Sequence, residues 1–204
     1  MTSYLVLGST FAFAAAVQPG PLQAYLVSQT LTFGWRRTIL AGFSPLVSDG
    51  PIIALCLLIL SRVPPMFVHG LQIAGGVYLL YLAVDAFKTY RNYDPERAFH
   101  VQSTQQTLLR AAFVNLLNPN PYFAWSLVMG PLLLKGWRED PLHGIALLVS
   151  FYITLVITLF GTILLFSAAK KLGSKVNRAL IGGSVIALGC FGLYELWSGV
   201  NVFL

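Results

Sequence analysis

The chain has 204 residues, of which 56% are hydrophobic and only 10% are charged. Soluble globular domains carry about 25% charged residues, so a soluble domain of this length could not cover its surface with so few charges. The net charge of +6 does not indicate nucleic-acid binding, because the basic residues stand between hydrophobic segments. Composition therefore excludes a soluble domain and predicts an all-α integral membrane protein in contact with lipid.

Six apolar segments follow one another along the chain, at residues 4–31, 39–61, 66–88, 108–134, 142–168 and 179–203. A helix of about 20 apolar residues spans the hydrocarbon layer of a membrane. The first segment is not preceded by the Lys or Arg of a secretory signal peptide, so we expect it to be kept as the first helix. The sequence predicts one transmembrane domain, residues 1–204, with six spans.

The distribution of basic residues predicts the orientation, because cytoplasmic loops are enriched in Lys and Arg. The first, third and fifth connections hold ten of the 13 basic residues, namely Arg36, Arg37, Lys88, Arg91, Arg97, Arg110, Lys170, Lys171, Lys175 and Arg178. The second and fourth connections hold Arg62, Lys135 and Arg138. We therefore expect both termini outside the cytoplasm and a polar cytoplasmic loop at about 91–107.

The two halves of the chain, about 1–90 and about 108–204, contain matching motifs in the same order. Gln18-Pro19-Gly20-Pro21 corresponds to Asn118-Pro119-Asn120-Pro121, 100 residues later. Gly34-Trp35-Arg36 corresponds to Gly136-Trp137-Arg138, and Gly75-Gly76 to Gly182-Gly183. Three spans in each half would make the second half cross the membrane in the opposite direction. This pattern is typical of the inverted repeats of secondary transporters.

Proline pairs are expected to break the first and fourth helices. Proline lacks an N–H and clashes with the carbonyl four residues before it, and unpaired backbone within a membrane is tolerated only where it is buried in protein or lines a wet cavity. The N-terminus of the following half-helix suits a carboxylate, and the freed carbonyls suit a cation, so the two breaks could hold a zwitterion. We expect substrate binding at Gln18, Pro19, Gly20, Pro21, Asn118, Pro119, Asn120 and Pro121.

Asp49 is the candidate for substrate binding or for proton or cation coupling. It lies ten residues into the second span, about 15 Å deep at 1.5 Å per residue, and acids at that depth are functional candidates. Pro45 and Pro51 flank it and predict a second loosened stretch of backbone. A protonated acid bonded to a nearby carbonyl is the structural alternative.

Other polar and aromatic residues carry weaker predictions. Asp85 can pair with Lys88 on one helix face, and Glu195 lies near the outer end of the last span. We expect no metal site, since no His residues have ligand spacing. Aromatic side chains that could line a cavity, although packing is the commoner role, are Tyr78, Tyr81, Trp125, Tyr152 and Tyr194.

The chain resembles the LysE/RhtB-type family of bacterial amino-acid exporters. The resemblance is carried by Pro19-Gly20-Pro21, by Gly34 and Gly42, by Asp49 and by Asn118-Pro119. It implies export of amino acids or related metabolites across the bacterial inner membrane, driven by a proton or ion gradient. It implies no enzymatic activity and no cofactor.

The sequence favours a secondary exporter working by alternating access, with a small-molecule substrate and possible homo-oligomers. Two alternatives stay open. A metal-cation exporter would require more than one acid or thiol in the membrane, and a transmembrane thiol electron carrier would require Cys56 and Cys190 to meet.

Overall fold

The computed structural model describes residues 1–58, 64–91, 103–169 and 173–201. Across these ranges the chain is helical, without a strand, so the predicted all-α class is confirmed. A 3₁₀ segment (Ile39–Phe43) precedes α4, and a π-helical turn (Trp125–Met129) follows α7. The α-helices are α1 (Thr2–Val17), α2 (Pro21–Phe33), α3 (Trp35–Thr38), α4 (Ser44–Leu58), α5 (Pro65–Arg91), α6 (Thr104–Leu117), α7 (Pro119–Ala124), α8 (Gly130–Glu139), α9 (Pro141–Ala169) and α10 (Ser174–Val200).

Four stretches of the described chain are long and apolar enough to cross a membrane as continuous helices. They are Trp35–Leu57, Pro65–Lys88, Pro141–Ala169 and Lys175–Val200. The pair α1 and α2 provides a fifth if it forms one span, with a bend of 63° at its break. The predicted span at 108–134 is divided among α6, α7, the π turn and α8. The number of six spans therefore stays a prediction.

Both ends of the polar loop predicted at about 91–107 are helical in the structure. Residues 92–102 of that loop lie outside the described part of the chain. Helix α5 continues to Arg91, and α6 begins at Thr104. Ser103 caps α6, because its hydroxyl accepts the Gln106 N–H while the Gln106 side chain accepts the Ser103 N–H, both at 3.2 Å. This reciprocal capping box starts the helix before the apolar run.

The backbone around Asp49 differs from the prediction. The irregular stretch precedes Pro45, as the 3₁₀ segment at Ile39–Phe43. From Ser44 the chain is α-helical and continues through Pro51. Asp49 therefore projects from a continuous helix, whose preceding turn is the loosened part.

Two long helix pairs organise the packing: α5 lies along α10, and α1 lies along α9. Glycines allow both contacts to be close. A Cβ atom on Gly8 of α1 would lie 2.6 Å from the carbonyl oxygen of Leu147 and would also clash with the Ser150 hydroxyl on α9. On the other pair, a Cβ atom on Gly76 of α5 would lie 2.8 Å from the Gly192 carbonyl of α10.

We expect Gly8→Ala to destabilise the fold, because the added methyl group meets backbone that cannot rotate away. Overpacking of this kind costs about 1–3 kcal/mol. Gly161→Ala on α9 is the matched control, since its Cβ atom would have no neighbour within 4 Å, and alanine favours a helix by up to about 1 kcal/mol. Thermal unfolding in detergent should show a lower midpoint for Gly8→Ala alone; equal midpoints would contradict the close α1–α9 contact.

Candidate functional site

The first helix break separates α1 from α2. Helix α1 ends at Val17, Gln18 has an extended conformation (φ −62°, ψ 124°), and α2 begins at Pro21. Because Pro19 and Pro21 have no N–H, the carbonyls four residues before them lack their helical partners. The side chain of Gln23 compensates in part, since its Nε2 donates to the carbonyls of Ala16 at 3.1 Å and Ala15 at 3.3 Å.

The second break separates α6 from α7 in a similar way. Helix α6 ends at Leu117, and Asn118 is extended (φ −77°, ψ 125°) before α7 begins at Pro119. The Asn118 Oδ1 accepts the backbone N–H of Asn120 at 3.1 Å, which caps α7. The Tyr122 hydroxyl donates to the Leu116 carbonyl at 2.9 Å. The carbonyls of Ala16 and Leu116 are 100 residues apart, as the proline motifs are. Each accepts a hydrogen bond from a side chain of the next half-helix.

Asp49 lies at the centre of a hydrogen-bonded group formed by α4, α6 and α9. Its side chain is only 3% exposed. The Asn115 Nδ2 donates to Asp49 Oδ1 at 2.8 Å and to the Ser48 hydroxyl at 2.7 Å, so both amide hydrogens are used. The Tyr152 hydroxyl donates to Asp49 Oδ2 at 3.2 Å. Each carboxylate oxygen therefore has a hydrogen-bond donor.

A cavity of about 250 Å³ lies between the two breaks and Asp49. Its volume is just below the roughly 300–1,000 Å³ of pockets for drug-sized ligands, so it suits a small metabolite. The polar lining is Gln18, Gln23, Asp49, Asn115, Asn118 and Asn120, whereas the apolar lining includes Phe11, Leu22, Phe151, Leu155 and Leu159. The cavity combines one acid with several amides inside an apolar wall.

The structure brings seven of the nine predicted site residues to this cavity: Gln18, Pro19, Gly20, Asp49, Asn118, Asn120 and Pro121. Pro21 lies instead on a second, much smaller cavity. Pro119 is buried and does not line the main cavity. The role of these residues in substrate binding stays a prediction.

Two polar residues of the site, Asn115 and Gln23, are absent from the predicted set. Asn115 is the main donor to Asp49, and a polar amide inside an apolar segment was the available signal. Gln23 both lines the cavity and bonds the α1 carbonyls. Its signal was its position two residues after Pro21.

The aromatic candidates divide between the site and the surface. Trp125 lines the main cavity. Tyr152 bonds Asp49, and Tyr78 lines the smaller cavity. Tyr81 and Tyr194 are exposed. Trp125 begins the π turn, where the Gly130 N–H reaches back five residues to its carbonyl; π turns of this kind often occur at functional sites.

Polar contacts also join the helices at two levels away from the cavity. Arg110 Nη1 on α6 lies 2.9 Å from Asp85 Oδ2 on α5, so Asp85 pairs between helices as well as lying on the same helix as Lys88. Elsewhere the Tyr4 hydroxyl on α1 donates to Glu139 Oε2 on α8 at 2.9 Å. The ring of His143 stacks on Tyr4, and its Nδ1 lies 3.5 Å from the same carboxylate.

The described residues include no group of three or more His, Cys, Asp or Glu side chains arranged to hold a metal ion. Both cysteines are free; Cys56 is buried on α4 and Cys190 is exposed on α10. The Cys56 thiol donates to the Tyr122 carbonyl at 3.7 Å, which is a packing contact. These observations do not favour either alternative function.

Comparison with curated proteins and with solved structures found no match. Comparison with family models found one described as "LysE type translocator", which matches residues 13–196. That range begins within α1 and ends within α10, and it contains both helix breaks, Asp49 and the whole lining of the cavity apart from Phe11. The resemblance predicted from the motifs is therefore confirmed, and the chain belongs to the LysE type translocator family of membrane transporters.

Proposed function

We propose that this transporter is a secondary active exporter of amino acids or closely related small metabolites. The proposal rests above all on one observation: both broken helices and Asp49 line a single cavity of about 250 Å³. Membership of the translocator family supports a transport function without specifying the substrate. The cavity supports the narrower substrate class, because its size and its single acid suit a small molecule with a positive group.

The polar groups of the cavity suit the two ends of an amino acid. Asp49 can accept a hydrogen bond from an ammonium group on its carboxylate oxygens. Gly20 and Gln18, where α2 begins, line the same cavity, and a helix N-terminus attracts a carboxylate through its unpaired N–H groups and its dipole. The apolar wall at Phe151 and Leu155 is then left for the substrate side chain.

The packing supports an architecture of six spans in two inverted repeats. In that arrangement the first span of each repeat should contact the second span of the other. Helix α1 packs on α9, α4 packs on α6, and the third helices, α5 and α10, pack on each other. The carbonyls of Ala16 and Leu116 each accept a hydrogen bond from a side chain of the following half-helix, which agrees with two equivalent repeats.

We place the protein in the bacterial inner membrane with both termini outside the cytoplasm. Alternating access around the cavity would then open it to the two faces in turn. In this orientation the Asp85–Arg110 pair lies towards the cytoplasm, and the Tyr4–Glu139–His143 group lies at the outer face. Each group joins separate helices, so opening on either side would have to break one of them.

An efflux screen tests this function directly. Purified protein is reconstituted in vesicles loaded with a mixture of amino acids, and efflux is followed by mass detection or radiolabel. We expect one or a few amino acids to leave faster than from protein-free vesicles, and the rate to fall when an ionophore collapses the proton and sodium gradients. If no amino acid or related metabolite leaves above the protein-free rate, the proposed substrate class is wrong.

A further inference from the structure

A second buried acid, Glu195, lies behind the broken helices and outside the main cavity. Its side chain, on α10, is only 7% exposed. Its Oε2 is buried and has no hydrogen-bond partner among the residues that the structure describes. A buried carboxyl oxygen without a donor costs free energy as an anion, so a positively charged species is the expected partner for it.

The depth of Glu195 follows from its packing against α5. Close contacts of Gly76 with Gly192 and Leu196 align this part of α10 with the middle of α5. Gly75, which lines the same small cavity as Glu195, lies ten residues after the start of α5 at Pro65, which corresponds to about 15 Å along the helix. Glu195 is thus level with the membrane interior, where an acid is a candidate functional group.

The small cavity beside Glu195 has a volume of about 10 Å³. That volume is close to the lower limit for holding one water molecule, roughly 10–15 Å³. An amino acid cannot enter it. The cavity suits only a proton, a water molecule or a small monovalent cation.

The wall of this cavity is mostly apolar, and the side chains that bring oxygen atoms to it are those of Tyr78, Asn118 and Glu195. Its lining is Pro21, Gly75, Tyr78, Leu79, Val114, Leu117, Asn118 and Glu195. The Leu117 carbonyl has lost its helical partner because residue 121 is proline, and a Cβ atom on Gly75 would lie 3.0 Å from it. Carboxylate and carbonyl oxygens are hard ligands, which suit a sodium ion as well as a proton.

Among the described residues that line the cavity, the one titratable neighbour of Glu195 is the phenol of Tyr78. Tyr78 lines the cavity from α5, and Pro21 is the residue that α2 contributes to its lining. Asn118, the residue after α6, lines the cavity, and the nearest charge on α6, Arg110, lies about two turns before it and pairs with Asp85. No described side chain of fixed positive charge lines the cavity to neutralise Glu195.

Asn118 lines both cavities, so the extended backbone of the second break separates the substrate cavity from the Glu195 cavity. A cation bound on one side of this break and a substrate bound on the other would act on the same unwound segment. Such an arrangement allows each to change the affinity for the other.

We propose that Glu195, with the freed Leu117 carbonyl, forms a binding site for a coupling cation, either a proton or Na⁺, distinct from the site at Asp49. This inference rests on the proposed gradient-driven transport, which it extends. In the proton case the neutral acid transfers its proton to water and becomes a carboxylate. In the sodium case the carboxylate and the carbonyl hold the ion directly.

Infrared difference spectroscopy of the reconstituted protein tests the site without any substrate. We expect wild type to lose a protonated-carboxyl band and gain a carboxylate band as pH rises in potassium buffer. If Na⁺ is the occupant, adding NaCl at constant pH should shift the carboxylate bands instead. Glu195→Gln should remove one carboxyl component from either signal, whereas Asp49→Asn and the control Asp140→Asn, between α8 and α9, should keep that component.

Glu195→Asp is the control for loss of the signal through misfolding of the glutamine variant. It keeps a carboxyl group at this position and should show a carboxyl band at a shifted frequency. An unchanged signal in Glu195→Gln, or no signal dependent on Glu195 with either cation, would overturn the proposal. In transport assays Glu195→Gln should keep substrate exchange but lose gradient-driven net efflux. If wild type transports no amino acid, the proposed function fails, while the spectra still decide whether Glu195 binds a cation.

Discussion

Asp49→Asn is expected to reduce gradient-driven efflux in proteoliposomes by roughly 10- to 100-fold at substrate concentrations well below saturation. Asparagine has the same shape and can still accept the Asn115 amide on its oxygen, so the hydrogen-bonded group around it should largely persist. The variant cannot carry the negative charge that would bind a substrate ammonium group. A hydrogen bond to a charged group contributes about 1.5–3 kcal/mol, which corresponds to a loss of roughly 10- to 100-fold in affinity.

Asp140→Asn is the matched control for this substitution. Asp140 lies between α8 and α9, and its Oδ1 accepts the Leu142 N–H at 2.9 Å. Asparagine caps a helix about as well as aspartate, so this variant should transport like wild type. Coupled efflux that is equal in Asp49→Asn and wild type would exclude a role for the Asp49 charge and favour a structural acid.

Gly20→Leu is expected to prevent transport while leaving the protein folded. Gly20 lines the main cavity at the first break, and a Cβ atom there would lie 3.3 Å from Gln23 Oε1. The backbone of Gly20 is extended (φ −167°, ψ 179°), a conformation open to any residue, so the effect would come from bulk and not from strain. Leucine should occupy substrate space and displace the Gln23 side chain.

The control for bulk is Gly183→Leu, because Gly183 is exposed and a Cβ atom there would have no neighbour within 4 Å. We expect it to keep both substrate binding and efflux. Substrate binding, measured as a shift in thermal unfolding, should be lost only in Gly20→Leu. Efflux by Gly20→Leu at the wild-type rate would contradict a role of the first break in substrate binding and would leave it a role in helix packing alone.

The sequence identified the helix breaks well because their cause is local. The missing N–H groups of Pro19, Pro21 and Pro119 act within one turn of their own helix, so the breaks occur where the prolines stand. The all-α class followed from composition for a similar reason. Both predictions required no knowledge of which helices are neighbours.

The contacts of Asp49 could not be predicted in this way. Asn115 and Tyr152 are 66 and 103 residues away from it in the chain. Their approach depends on how α4, α6 and α9 pack, and this is set by many weak contacts across the bundle. Apolar periodicity indicates that a helix is buried, but it does not indicate its partner.

The burial of Glu195 could not be predicted from the sequence. Its position in the sequence is near the end of the last span, yet glycine contacts align it with the middle of α5. Close approach at Gly76, Gly192 and Gly199 fixes that alignment. A helix register of this kind is a property of the pair, so one segment alone does not contain it.

The central claim is that one cavity between the two breaks holds the substrate and opens to each face in turn. Its most direct test is labelling of Ala14→Cys, on the cavity wall, with a membrane-impermeant thiol reagent in a Cys56→Ala, Cys190→Ala background. Ala74→Cys, on the exposed face of α5, serves as control. We predict labelling of residue 14 from both membrane faces, and slower labelling when the amino acid identified by efflux is present. Labelling from one face only, or at a rate that substrate does not change, would contradict it.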